Sequence, residues 1–99
     1  MKKTLLIVFS LVLLPLVSQG ADIAAGKAKA VTCTACHGPK GISQNPMWPN
    51  LAGQHAQYLV KQLKAFKSGA RKDPSMAPMV APLSPADMEN IAAYFSSLK

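Results

Sequence analysis

Large apolar residues recur every three or four positions near the carboxyl end of the chain, and this is the most regular hydrophobic pattern in the sequence. Such spacing predicts an amphipathic helix, and its apolar stripe consists of Met88, Ile91, Phe95 and Leu98. The start of the helix is also marked. Ser84 is a typical N-cap, Pro85 suits the first helical position, and Asp87 supplies the carboxylate of a capping box.

Two weaker patterns predict two more helices. Residues 54–68 form an amphipathic segment that ends at Gly69, and its apolar face consists of Leu59, Leu63 and Phe66 together with Tyr58. An alanine-rich helix is expected from Ile23 to about Val31, with Asp22 as its N-cap. The alternation of apolar and polar residues that marks β-strands is not found. The sequence therefore predicts an all-α fold.

Residues that break helices separate these segments. The stretch 38–53 contains both glycines and prolines, and the stretch 70–83 contains three prolines. Each stretch predicts a long loop. The expected organisation is about three main helices and two long loops, without internal repeats or linkers between residues 21 and 99.

The first twenty residues have the layout of a secretory signal peptide. Lys2 and Lys3 precede an apolar run from Leu5 to Val17, and the small residues Ser18 and Gly20 follow it. The run of 13 residues is shorter than the roughly 20 that a membrane-spanning helix needs, so an uncleaved anchor is the weaker interpretation. We expect cleavage after Gly20, export to the periplasm, and one domain over residues 21–99.

Charge and core size limit what this domain can be. The chain has 11 basic and 4 acidic residues and a net charge of +7, which becomes +5 without Lys2 and Lys3. Export argues against a nucleic-acid partner, and the basic residues are scattered. They predict either a solvated surface or a docking surface for an acidic redox protein. Residues 21–99 contain only 20 large apolar side chains, so we expect another group to help fill the core.

The chemistry of the chain is concentrated in one motif, Cys33-Thr34-Ala35-Cys36-His37. A disulfide across so short a loop would constrain the unfolded chain little and would leave the histidine without a role. A thioredoxin-like redox pair would lie beside a βαβ pattern, which is missing. Zinc would need four ligands, and His55 is the only further candidate.

Covalent haem attachment explains all three reactive residues of the motif. The thiols of Cys33 and Cys36 can each add to one vinyl group of a haem, and His37 then lies under the ring as an iron ligand. The sequence therefore predicts one haem c, held by two thioethers. The haem would also supply the missing core volume.

The ligand on the other side of the iron is less certain from the residues alone. His55 begins a polar helical turn, where a solvated histidine is the ordinary outcome. Methionine is the other usual ligand, and residues 21–99 contain Met47, Met76, Met79 and Met88. Met88 is expected in the core and Met47 against the haem or the core. Met76 and Met79 both lie in the second loop, and reach does not decide between them.

The ordered set of motifs resembles the class I c-type cytochromes, and in particular one haem domain of the tandem dihaem bacterial cytochromes c. The segments that carry the resemblance are Ala25-Gly26-Lys27, Cys33-x-x-Cys36-His37-Gly38, Leu51-Ala52-Gly53-Gln54, Tyr58-Leu59-x-Lys61-Gln62-Leu63 and Ile91-Ala92-Ala93-Tyr94, with Met76 seven residues before Leu83-Ser84. The resemblance implies an all-α class I cytochrome c fold and selects Met76 as the second axial ligand. Only one attachment motif is present, which departs from the dihaem pattern.

The resemblance further implies a protein that passes single electrons between redox partners and has no substrate turnover of its own. A haem subunit docked on a larger periplasmic oxidoreductase stays open as an alternative, and a ligand-binding haem sensor is a more distant one. The expected pocket residues, for which ordinary core packing is an equal possibility, are Trp48, Leu51, Tyr58, Leu59, Leu63, Ile91 and Phe95. Arg71 or Lys72 could pair with a haem propionate, although solvation is the simpler expectation.

Overall fold

The computed structural model of the chain describes residues 2–12 and 20–99. Residues 1 and 13–19 of the expected signal peptide lie outside these ranges, and its cleavage after Gly20 stays a prediction. Within the described ranges, no helix combines the length and the apolar character that crossing a membrane requires.

The described residues contain helices joined by irregular segments, and no strand. The helices are α1 (Ile23–Lys29), α2 (Val31–His37), α3 (Ala56–Ser68), α4 (Ala77–Val80) and α5 (Pro85–Ser97). This content confirms the predicted all-α class. The two longest helices, α3 and α5, have 13 residues each.

Helices α1 and α5 cross with their backbones close together. Gly26 lies at this crossing, where a Cβ atom would overlap the backbone carbonyl of Asn90. The Oδ1 atom of Asn90 also accepts a hydrogen bond of 2.8 Å from the backbone N–H of Asp22, and the Lys29 ammonium lies 3.8 Å from the Asp87 carboxylate. The first and last helices are thereby fixed to each other.

Helix α3 packs against both α5 and α4. The core between these elements is small, and Phe95 and Val80 are its largest fully buried side chains. Its buried members are Ala30, Leu59, Val60, Val80, Leu83, Met88, Ile91, Ala92, Tyr94 and Phe95.

The predicted helix signals are confirmed at the ends of three helices. Oδ1 of Asp22 accepts the N–H of Ala25 at 3.1 Å and caps α1. Ser84 and Asp87 form the predicted reciprocal capping box at the start of α5, with hydrogen bonds of 3.0 and 3.1 Å. Gly69 ends α3 in the left-handed conformation, with φ of +83°.

Other boundaries differ from the predicted ones. The first helix ends at Lys29, and the haem motif, which we expected to follow a helix, is itself helical in α2. Nothing between Val31 and His37 breaks a helix, because the next glycine and the next proline are Gly38 and Pro39. Helix α3 begins at Ala56 rather than at residue 54, and the second predicted loop contains α4.

Candidate functional site

Helix α2 places the two cysteines of the motif on one side of the chain. Residues three apart in a helix are neighbours on its surface, so Cys33 and Cys36 present their thiols to the same region. Both thiols are free. Cys33 packs against the core, whereas Cys36 is exposed. One thiol therefore lies at the edge of the core and the other at the protein surface.

The environment of Cys33 is unlike that of a redox-active thiol. Burial raises the pKa of this thiol above its usual range, and a side-chain hydrogen bond with Thr32 offsets the rise only in part. Thioredoxin-type pairs depend on a lowered thiol pKa. The pKa shift of Cys33 thus argues against the redox-pair interpretation of the motif.

His37 is the one buried polar residue among those described, with 6% of its surface exposed. Its Nδ1 atom lies 2.8 Å from the carbonyl oxygen of Pro49. A carbonyl can only accept, so Nδ1 carries the proton and donates it. In the neutral imidazole with Nδ1–H, the other ring nitrogen, Nε2, has the lone pair that a metal ligand needs.

The surroundings of the Nε2 atom leave that lone pair available. No hydrogen-bond partner of Nε2 occurs among the described residues. In the same part of the chain, no fully enclosed side-chain nitrogen or oxygen lacks a partner. The Nε2 atom of His37 therefore borders accessible space rather than being sealed in the protein.

The loop of residues 38–53 holds Pro49 in place through its own hydrogen bonds. The carbonyl of Gly41 accepts the backbone N–H groups of Leu51 at 2.8 Å and Ala52 at 3.0 Å. The Asn50 side chain accepts the N–H of Ser43 at 2.7 Å. These bonds close the loop and fix the carbonyl that orients His37. Sequence reasoning missed this role of Pro49, because no motif marks a backbone acceptor twelve residues away.

The two methionines of the second loop have different environments. Met76 is half-buried and packs against the core at the start of α4, whereas Met79, inside α4, is 42% exposed. His55 is exposed at the start of α3. The zinc interpretation gains no support, since within residues 2–12 and 20–99 no three His, Cys, Asp or Glu side chains converge on one point.

The expected pocket residues fall into two groups. Leu59, Ile91 and Phe95 are buried, and Leu51 and Leu63 are half-buried against the core. By contrast, two aromatic side chains keep much of their surface exposed, namely Trp48 at 39% and Tyr58 at 48%.

Helix α2 is arranged differently from the other described helices. It makes only a small contact with α1, its neighbour in sequence, and among the described residues no contact as large joins it to α3, α4 or α5. Free thiols, an available imidazole nitrogen and open apolar side chains together fit a haem placed against α2.

Comparison with known proteins places the chain in a family. Residues 23–99, which include all five helices, match the family model described as Cytochrome c. The chain belongs to the cytochrome c family. Membership in the cytochrome c family implies covalently bound haem c with its iron, which agrees with the chemistry of the residues on α2.

Three relatives show how the chain compares in length with other cytochromes. Cytochrome c4 of Thiocapsa roseopersicina is 49% identical over 80 residues, which are 80% of this chain and 41% of that protein. Cytochrome c-554(548) of Halomonas halodenitrificans is 48% identical over 79 residues, or 77% of this chain and 95% of that one. The thiosulfate dehydrogenase electron acceptor of Thiomonas intermedia is 44% identical, covering 80% of this chain and 37% of its own length.

A solved cytochrome has the same fold. The crystal structure of reduced recombinant cytochrome c4 from Pseudomonas stutzeri matches with a TM-score of 0.77 and 46% identity, over 81% of this chain and 47% of that one. This match confirms the predicted class I cytochrome c fold and the resemblance to one haem domain of a larger cytochrome. The chain spans about half the length, or less, of the cytochrome c4 relatives that it matches.

Proposed function

We propose that residues 21–99 form a periplasmic single-haem electron carrier, exported by a signal peptide in residues 1–20. The observation that carries the proposal is the buried His37, whose Nδ1–H donates to Pro49 and leaves Nε2 available beside two free thiols. The chain has two cysteines in all and hence one attachment motif. The Halomonas relative, which the match covers almost completely, supports a carrier of this size.

Four residues hold the cofactor in this proposal. Cys33 and Cys36 would hold the haem through two thioethers, and His37 Nε2 and Met76 Sδ would bind its iron. When bound, the haem supplies an iron atom that cycles between the ferric and ferrous states. The packing of Met76 against the core supports its choice over Met79, because a half-buried side chain is held in place more firmly than an exposed one.

Contacts around the site orient the proposed ligands. The hydrogen bond from His37 to Pro49 fixes the ring orientation and makes Nε2 a better electron donor. With His37 and Met76 both bound, the iron would have no coordination position open to a substrate. We therefore propose a carrier without substrate turnover of its own.

Other redox proteins are the proposed partners, and the net positive charge of residues 21–99 suits acidic docking surfaces on them. A second possibility is a haem subunit docked on a larger oxidoreductase. The Thiomonas relative, named as an electron acceptor of thiosulfate dehydrogenase, favours this possibility over a ligand sensor. Gel filtration of the native periplasmic extract separates the two, since a carrier elutes near the mass of the free domain.

The axial ligands are tested by replacing the two loop methionines one at a time. We expect Met76→Ala to lose the weak absorption near the red edge of the visible spectrum, which reports sulfur bound to ferric haem. We expect Met79→Ala to keep this absorption. The opposite pattern would identify Met79 as the ligand and would refute the assignment of Met76.

Carbon monoxide tests the carrier function itself. With both axial positions occupied by the protein, the spectrum of the reduced wild-type protein should not change when the gas is added. Ready binding of carbon monoxide would instead identify a protein that admits small ligands to the iron. Met76→Ala is the positive control, because it leaves the sixth position open.

A further inference from the structure

The segment before Met76 is a helical turn that begins at Asp73. The backbone carbonyl of Asp73 accepts the N–H groups of Met76 at 3.1 Å and Ala77 at 2.9 Å. Pro74 occupies the first position of this turn, where its missing N–H costs nothing. Asp73-Pro74 thus repeats the N-cap and proline arrangement that Ser84-Pro85 makes at the start of α5.

The side chain of Asp73 also accepts hydrogen bonds from the backbone of this turn. Its Oδ1 atom accepts the N–H of Ser75 at 2.8 Å and the N–H of Met76 at 3.3 Å. Met76 therefore donates its backbone N–H to two oxygens of one residue. Side-chain capping of this kind stabilises the first turn of a helix.

The chain is anchored to α3 just before Asp73. The backbone N–H of Arg71 donates to the carbonyl of Ala65 at 3.0 Å, and its guanidinium donates to Oε1 of Gln62 at 2.8 Å. The Cζ atom of Arg71 lies 4.5 Å from the centroid of the Phe66 ring, and Phe66 packs against the core. Arg71, which we had considered for a propionate, is therefore occupied on α3.

A second anchor follows Met76. The carbonyl of Met76 accepts the N–H groups of Met79 at 3.0 Å and Val80 at 3.1 Å, and Val80 is 1% exposed. Met76 lies between the contact of Arg71 with α3 and the buried Val80. Between these two anchors, Asp73 is the residue whose side chain bonds to the Met76 backbone.

We propose that Asp73 is a positioning residue for the sulfur ligand, an inference that rests on the proposed role of Met76 at the iron. By capping the turn, the carboxylate fixes the backbone from which the thioether extends, so the sulfur would be held in position to bind the iron. The acceptor oxygen performs this role, and its charge is not required. The variant Asp73→Asn, which keeps an Oδ1 acceptor, should therefore hold the Met76 backbone as the wild type does.

The test compares Asp73→Ala and Asp73→Asn with Asp87→Ala, which removes the capping carboxylate of α5 and serves as the matched control. Imidazole competes with methionine for the sixth position of the ferric protein. We expect the apparent imidazole affinity to rise about fivefold in Asp73→Ala, the effect of losing a typical N-cap. The red-edge absorption should also disappear at a lower temperature than the far-UV circular dichroism signal. Asp73→Asn and Asp87→Ala should bind imidazole as the wild type does.

Other results would overturn either the positioning role of Asp73 or the assignment of Met76 as ligand. Equal imidazole affinity in Asp73→Ala and wild type, both with the red-edge absorption, would overturn the positioning role while leaving Met76 as ligand. Wild-type protein without that absorption, or Met76→Ala with it, would instead refute the proposed ligand. If Asp73→Ala does not accumulate, Asp73→Gly deletes the same acceptor at a smaller cost to helix stability and takes its place. For Asp73→Gly we expect a rise of less than about twofold, because glycine is itself a fair N-cap, and an affinity equal to that of the wild type would overturn the inference as well.

Discussion

At the scale of single residues, the buried ring of His37 bonds to the protein through one nitrogen, and the other has no partner among the described residues. Its Nδ1–H satisfies the carbonyl of Pro49, 2.8 Å away, and the cost of burying that polar atom is thereby offset. The same bond sets the tautomer, which gives Nε2 its lone pair. The position of the loop thus determines which nitrogen would bind iron in the proposed site.

The two cysteines are equivalent in the motif but not in the fold, and this difference gives a prediction. Either Cys33→Ala or Cys36→Ala leaves one thioether, so both variants should shift the reduced spectrum alike. Only Cys33 packs against the core, where it is half-buried, and the loss of its sulfur costs up to about 1 kcal/mol. Denaturant unfolding of the two purified variants should show Cys33→Ala less stable by about this amount. Equal midpoints would show that the burial of Cys33 does not contribute.

At the scale of helices, Gly26 is the residue on which the crossing of α1 and α5 depends. An added Cβ would overlap the backbone carbonyl of Asn90, which cannot rotate away as a side chain can. We expect Gly26→Ala to lower the free energy of unfolding by about 1–3 kcal/mol, the usual cost of overpacking. Lys27→Ala, at an exposed neighbouring position of α1, is the control and should be close to neutral. An unchanged midpoint for Gly26→Ala would mean that the two helices separate at little cost.

Local signals explain which helix boundaries could be predicted. The start of α5 was predicted correctly because Ser84, Pro85 and Asp87 form a capping box from residues close in sequence. Helix α2 was missed because its small and polar residues give no apolar period, although they contain no breaker either. Helix α4 was missed because three prolines outweighed the one local signal, the Asp73-Pro74 pair.

The residues of the candidate site also differ in whether the local sequence could predict them. The motif itself predicted Cys33, Cys36 and His37, because their chemistry and spacing are local. The preference for Met76 came from resemblance to a family, since two methionines in one loop have equal reach. The acceptor Pro49 and the capping role of Asp73 could not be predicted, because both depend on the path of a loop.

At the scale of the whole molecule, some lysine side chains are bonded to other residues of the chain, whereas others are exposed. Lys29 lies 3.8 Å from the carboxylate of Asp87, and the ammonium of Lys67 donates to the carbonyl of Leu83. Lys61 and Lys64 are exposed on α3. Of the three lysines spaced along α3, these two are therefore the better candidates for guiding an acidic partner.

The last prediction separates a docking role of these lysines from a general effect of charge. Lys61→Gln with Lys64→Gln removes two charges from α3, and Lys27→Gln with Lys99→Gln removes two exposed charges elsewhere. If α3 guides docking, the second-order electron-transfer rate with an acidic redox protein at low salt should fall several-fold, about three- to tenfold, only in the α3 pair. The difference should shrink towards physiological ionic strength, where the screening length is about 8 Å. If the electron-transfer rate falls equally in the two double variants, the net charge matters and the position of the lysines does not. A wild-type rate that does not change with salt would show that the lysines are simply solvated.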